Sequence, residues 1–136
     1  MSRLSPLVLF VSLALAACAS SGGTRGDSLG GVTLVGSWSE TWAPGQPTDV
    51  DYHDVFAVKR GPDGALVVSC PEHPDYQFPR AEVRDGRLYL RLVNDKGDGD
   101  PYVIDYVLAP QGERQLGGRA TTNHGVDVPI LWDRID

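Results

Sequence analysis

The chain has little cysteine, few basic residues and no long apolar run. Its two cysteines, Cys18 and Cys70, cannot build a disulfide framework, and no C-x-x-C motif or thiolate-stabilising basic neighbour points to redox chemistry. Cys70 follows Val67 and Val68 and reads as a small buried hydrophobe, with intermolecular pairing or a reactive thiol as alternatives. Twelve Lys and Arg against eighteen Asp and Glu give a net charge of −6, which disfavours nucleic acid as a partner. No apolar run approaches the roughly twenty residues that a membrane-spanning helix requires. Beyond residue 31, the longest stretch without Gly or Pro is the thirteen residues 48–60, so helices of ordinary length have no other place to fit. Nucleophile-elbow, Ser-x-x-Lys and phosphate-loop motifs are missing too. Carboxylates such as Asp51, Asp54 and Glu72 are plentiful, but nothing marks a pair with the separated environments that acid and base roles need. The chain is not expected to be an enzyme, and no cofactor is implied.

What the sequence does contain begins at its N-terminus. Arg3 is the only charge before Cys18, and residues 7–17 form an apolar run broken only by Ser12, the charged head and short hydrophobic stretch of a secretory signal. Leu15, Ala16, Ala17 and Cys18 resemble the lipobox of bacterial lipoproteins. The resemblance implies cleavage before Cys18, which would carry the lipid and hold the chain to a membrane, each buried methylene contributing about 0.8 kcal/mol. Loss of Arg3 with the leader would leave a net charge of −7, so the lipid rather than surface charge would do the anchoring. Ala19 after the Cys, where lipoprotein sorting would read an Asp as a retention signal, implies the outer membrane of a two-membrane envelope, facing the periplasm or the cell surface. The expected organisation is a signal peptide over 1–17, a lipidated Cys and flexible Gly/Ser-rich linker over 18–31, and one domain over 32–136.

Within that domain the pattern predicts an all-β fold, an antiparallel meander of about eight strands near 32–42, 50–60, 65–70, 80–84, 87–93, 102–109, 115–122 and 126–135. A helix is the alternative at 48–60, because Tyr52, Val55 and Phe56 also fit a helical spacing. Asp85 and Gly86 between alternating strands form a hairpin signal. Leu88, Leu90 and Leu92 alternate with Arg87, Tyr89 and Arg91. Tyr102, Ile104, Tyr106 and Leu108 share one face, as do Val126, Val128, Ile130, Trp132 and Arg134, so one side of the sheet covers a core. Pro129, on the opposite face, suggests a bulge or an unpaired edge in the last strand and an imperfectly closed barrel.

Gly36, Ser37 and Trp38 on the first strand, with Arg134 on the last, resemble the G-x-W motif and its basic partner in lipocalins and related calycin barrels. The resemblance implies that Trp38 closes one barrel end under the guanidinium of Arg134, with Gly36 completing the motif. The chain is shorter than a typical lipocalin, lacks the Thr-Asp-Tyr loop motif and has no room for a C-terminal helix. A barrel of this size is either filled by its own side chains or holds one small ligand. The bulky inward residues favour filling, with a groove near Trp42 and Tyr52 at the open end as the place for a ligand.

Residues 95–100 resemble a calcium loop in composition, yet the EF-hand frame fails, because position twelve from Asp95 is Tyr106. They read as an acidic hairpin turn. His53, His73 and His124 lie on separate segments, so a zinc site would require tertiary convergence; no metal is assigned. Three functions remain open. One is a lipid-anchored envelope module binding an envelope or host protein through loops, with Tyr76 and Phe78 as candidate aromatic anchors among Pro71, Pro74 and Pro79. The second is a lipocalin-like carrier or sensor of a small apolar ligand; the third is a structural envelope protein. The first is narrowly favoured, without the cysteine pairs of the lysozyme-inhibitor barrels that would name a target.

Overall fold

A computed structural model describes residues 28–45 and 54–136. The expected signal peptide, Cys18, most of the expected linker, Tyr52 and His53 lie outside the described residues. Ten strands follow one another: β1 Ser28–Leu29, β2 Val32–Thr33, β3 Gly36–Trp42, β4 Val55–Arg60, β5 Leu66–Ser69, β6 Gln77–Arg84, β7 Arg87–Asn94, β8 Tyr102–Gly112, β9 Gln115–Thr122 and β10 Asp127–Arg134. No helix occurs among the described residues. β1 and β2 form a small hairpin. The other eight strands make one antiparallel sheet in the order β5, β4, β3, β10, β9, β8, β7, β6. First and last barrel strands therefore pair, Trp38 opposite Arg134 and Glu40 opposite Trp132. The two sheet edges, β5 and β6, approach each other without a recorded ladder, which leaves the barrel nearly closed.

Period-two alternation decides the inside. Phe56 and Val58 of β4, Leu88, Leu90 and Leu92 of β7, Ile104, Tyr106 and Leu108 of β8, and Ile130 and Trp132 of β10 are all buried. Each large apolar side chain so buried contributes about 1.5–3 kcal/mol. The centre is an aromatic cluster in which Phe56 stacks on Trp132 with centroids 4.9 Å apart, while Tyr106 meets Phe56 edge-on at 6.3 Å. The middle of the barrel is filled by its own side chains. The same alternation in β4 settles residues 55–60 as strand rather than helix. Asp85 and Gly86 both have positive φ, 52° and 73°, as the tight two-residue hairpin between Arg84 and Arg87 requires.

Several features differ from the sequence reading. The domain includes the described residues 28–31 as well as those from 32, because Leu29, 3 % exposed, joins the core. The first long strand is interrupted at Leu34 and Val35; Leu34 is fully buried, and its carbonyl accepts the Trp38 indole N–H at 2.8 Å. β6 starts at Gln77 rather than at 80, passing Pro79 at a register shift between Gln77 and Arg80 on an edge strand, where a missing N–H is tolerated. Pro129 does not mark an open edge: β10 is paired on both sides, and the seam lies between β5 and β6. The Pro129 carbonyl accepts from Ala43 N at 2.9 Å. Its missing N–H points the same way, toward Ala43, whose φ of 49° already turns β3 out of the ladder.

Candidate functional site

The two barrel ends are built differently. At one end the β1–β2 hairpin inserts Leu29 and Val32 into the core. Arg134 ties it down, donating from Nη1 to Thr33 O at 2.6 Å and from Nη2 to Val35 O at 2.8 Å. The same guanidinium lies over Trp38, 5.5 Å from the ring centroid, and pairs with Asp136 at 3.0 Å. Gly36 has φ 145°, and a Cβ there would sit 2.5 Å from Arg134 Nη2. Only a residue without a side chain leaves room for the arginine.

The other end is open. The ends of β3, β7 and β9 and the starts of β4, β6, β8 and β10 meet there around a cavity of about 510 Å³. Trp42, Tyr76 and Tyr102 give it aromatic walls, Leu92 and Ile104 lie toward the core, and Asn94 lines it as well. Tyr102 stacks on His124 at 5.1 Å, and Tyr76 stacks on His73 at 4.5 Å. Its carboxylates are Glu40, Asp54, Asp98 and Asp100, against the single ammonium of Lys96.

Glu40 is the unusual member. It follows Trp38 and precedes Trp42 on the inward face of β3 and is only 4 % exposed. Its Oε2 accepts the Trp132 indole N–H at 2.9 Å, and its Oε1 lies 3.5 Å from the donating Tyr106 hydroxyl. Burial raises its pKa to about 7; the nearby Asp54 charge pushes the same way, while the Trp132 and Tyr106 hydrogen bonds only partly oppose the rise. The Tyr106 hydroxyl is pushed well above the usual tyrosine range by its own burial and by Glu40. Among the described residues no basic side chain pairs with Glu40. Asn94 Oδ1 is a second unusual group, a buried acceptor with no hydrogen-bond partner among the described residues. Sequence reasoning passed over Glu40, although alternation between two tryptophans was a sufficient signal for its inward direction.

The remaining candidates divide between the ends. Gly36, Trp38 and Arg134 come together at the closed end, and Trp42 lines the open one; Cys18 and Tyr52 fall outside the described residues. Phe78 meets Phe56 edge-on at 6.0 Å, and both Phe78 and Tyr76 pack against the core. The acidic turn is held by its own aspartates: Gly97 N donates to Asp95 Oδ1 at 2.9 Å and Asp100 N to Asp98 Oδ1 at 3.0 Å. Beside the mouth, Asp54, Glu72 and His73 bring ligand-type atoms within 4.8 Å of one another, a convergence of segments not legible from spacing; His73 Nε2 lies 3.5 Å from Asp54 Oδ1. Cys70 is buried and unbridged, and burial, reinforced by the Asp54 charge, raises its thiol pKa. The buried thiol is thus kept away from thiolate chemistry.

Comparison with known proteins brought no match: no family model, no curated protein and no solved structure matched the chain.

Proposed function

We propose that this protein is a lipid-anchored envelope binding module, with a lipocalin-like barrel that takes one small amphipathic molecule at its open mouth. The carrying observation is the cavity of about 510 Å³, walled by Trp42, Tyr76 and Tyr102 and floored by the buried carboxyl of Glu40. Ligand pockets commonly combine apolar and aromatic walls with a few placed polar groups, and volumes of roughly 300–1,000 Å³ are typical. The filled aromatic centre leaves no space for a long hydrocarbon, which favours a ligand held at the mouth over one swallowed by the barrel. A protein partner gripped by Tyr76 and Phe78 is less favoured, because both rings pack against the core. The lipobox-like segment supports the anchor, and Ala19 supports an outer-membrane address.

The test is fluorescence titration with N-phenyl-1-naphthylamine, a neutral aromatic dye. Saturable binding that weakens at least tenfold in Trp42→Ala and Tyr102→Ala supports the mouth as the site. Absence of binding, or binding indifferent to both substitutions, removes the reading.

A further inference from the structure

We infer that the mouth selects an organic cation, an aryl-alkyl ammonium whose charged head sits against Glu40 while its ring lies among Trp42, Tyr76 and Tyr102. The inference rests on the small-ligand reading and adds the ligand's charge. Three features at the mouth carry it.

Among the described residues four carboxylates face the cavity against one lysine, so its field attracts a cation and repels an anion. Glu40 is held, among the described residues, only by neutral donors, the Trp132 N–H and the Tyr106 O–H. A buried carboxylate with no cationic partner is costly, and a ligand ammonium removes that cost. Asn94 lines the same cavity, and its Oδ1 is a buried acceptor without a hydrogen-bond partner among the described residues. An ammonium is a donor without acceptors, so it complements both groups. The aromatic walls suit it as well, since tryptophan and tyrosine faces attract ammonium groups.

Binding is then linked to protons. With a carboxyl titrating near 7, acidification leaves Glu40 neutral, and an arriving cation expels its proton. The groups around Glu40 are Asp54 from the start of β4, Tyr106 on β8 and Trp132 on β10, with Asp98, Asp100 and Lys96 in the facing turn. The imidazoles of His124 and His73 stand at and beside the mouth, 3.7 Å from Asp100 Oδ1 and 3.5 Å from Asp54 Oδ1. A substitution at Glu40 isolates its share.

The experiment uses three probes of one skeleton, 2-phenylethylamine, 2-phenylethanol and 3-phenylpropanoate, titrated calorimetrically into the folded protein at pH 5.5 and pH 8. The ammonium should bind about tenfold more tightly than the alcohol at pH 8 and the carboxylate weakest, with the advantage shrinking to about threefold or less at pH 5.5. Glu40→Gln, which retains shape and an acceptor for Trp132, should lose most of the pH 8 preference. A measurement on the unaltered protein stands beside the variant: at pH 6.5, in phosphate and in the zwitterionic buffer ACES, the amine should release a fraction of a proton and the alcohol none. An alcohol as tight as the amine at pH 8, a preference unchanged in Glu40→Gln, or no proton release overturns cation selection and leaves the small-ligand site standing. Failure of all three probes, together with failure of the neutral dye, removes the site itself.

Discussion

The indole N–H of Trp132 donates to Glu40 Oε2 at 2.9 Å across the β3–β10 pair, where the two residues stand directly opposite each other. The last barrel strand, paired with the first, thus also fixes the one buried carboxyl among the described residues. Because β3 and β10 are the first and last barrel strands, the bond joins residues 92 positions apart. Pairing the first barrel strand with the last also places the floor of the mouth.

Stability should therefore fall as pH rises from 4.5 to about 7. Glu40 has a folded pKa of about 7 against an ordinary 4.5, so the native state binds the proton more tightly than the unfolded chain. Its favourable contribution is full below pH 4.5, declines as the unfolded carboxyl ionises, and is gone above pH 7. The span amounts to about 3 kcal/mol. Urea denaturation at pH 4.5 and pH 8 should show that loss in the native protein relative to Glu40→Gln, which has no carboxyl to titrate. Parallel pH profiles for the two proteins would contradict it.

Trp38→Ala should destabilise the domain by about 3–5 kcal/mol, since the indole is fully buried. Arg134→Ala should lose the ring contact and the bonds to the carbonyls of Thr33 in β2 and Val35 just after it. The two effects should couple by about 0.5–2 kcal/mol in a double-mutant cycle. Strict additivity would show that the guanidinium and indole do not interact energetically.

Gly36→Ala should cost about 1–3 kcal/mol through its φ of 145°, and more through the clash of the new Cβ with Arg134 Nη2. Thermal denaturation should show a smaller penalty when the substitution is made in an Arg134→Ala background. An equal penalty would leave backbone strain as the whole cause.

Phe78 and Tyr76 should separate. Phe78→Ser removes a ring packed edge-on against Phe56 and should lower stability by about 2–4 kcal/mol. Tyr76→Ser, at the cavity wall, should chiefly weaken dye binding. Loss of a captured envelope protein with stability unchanged in both variants would restore the protein-partner reading.

Cys18→Ser should yield an uncleaved precursor and no acylated mature form, because the thiol is the acyl acceptor in the family that residues 15–18 resemble. Detergent partitioning and intact mass decide the matter. A mature N-terminus without lipid in the unaltered protein would remove the anchor.

Sequence pattern alone determined the strand class of the domain, the inward sets in β7, β8 and β10, and the Asp85–Gly86 hairpin. Each follows from local rules: side chains alternate at period two, and positive φ favours Asp-Gly at a tight turn. Tertiary structure decided what depends on neighbours distant in sequence. Pro129 suggested a gap from its missing N–H, but the seam lies where β5 and β6 meet, since only strand order determines which strands remain edges. Phe78 and Tyr76 looked available in a proline-rich connection, until β6 proved to begin at Gln77 and turned Phe78 toward Phe56. Glu40 carried an inward parity in the sequence, but its chemistry did not exist there. A carboxyl acquires a pKa near 7 only when the fold removes water from it, places Asp54 nearby and offers it no basic partner. Alternation is a property of adjacent residues, whereas desolvation is a property of everything that closes around them.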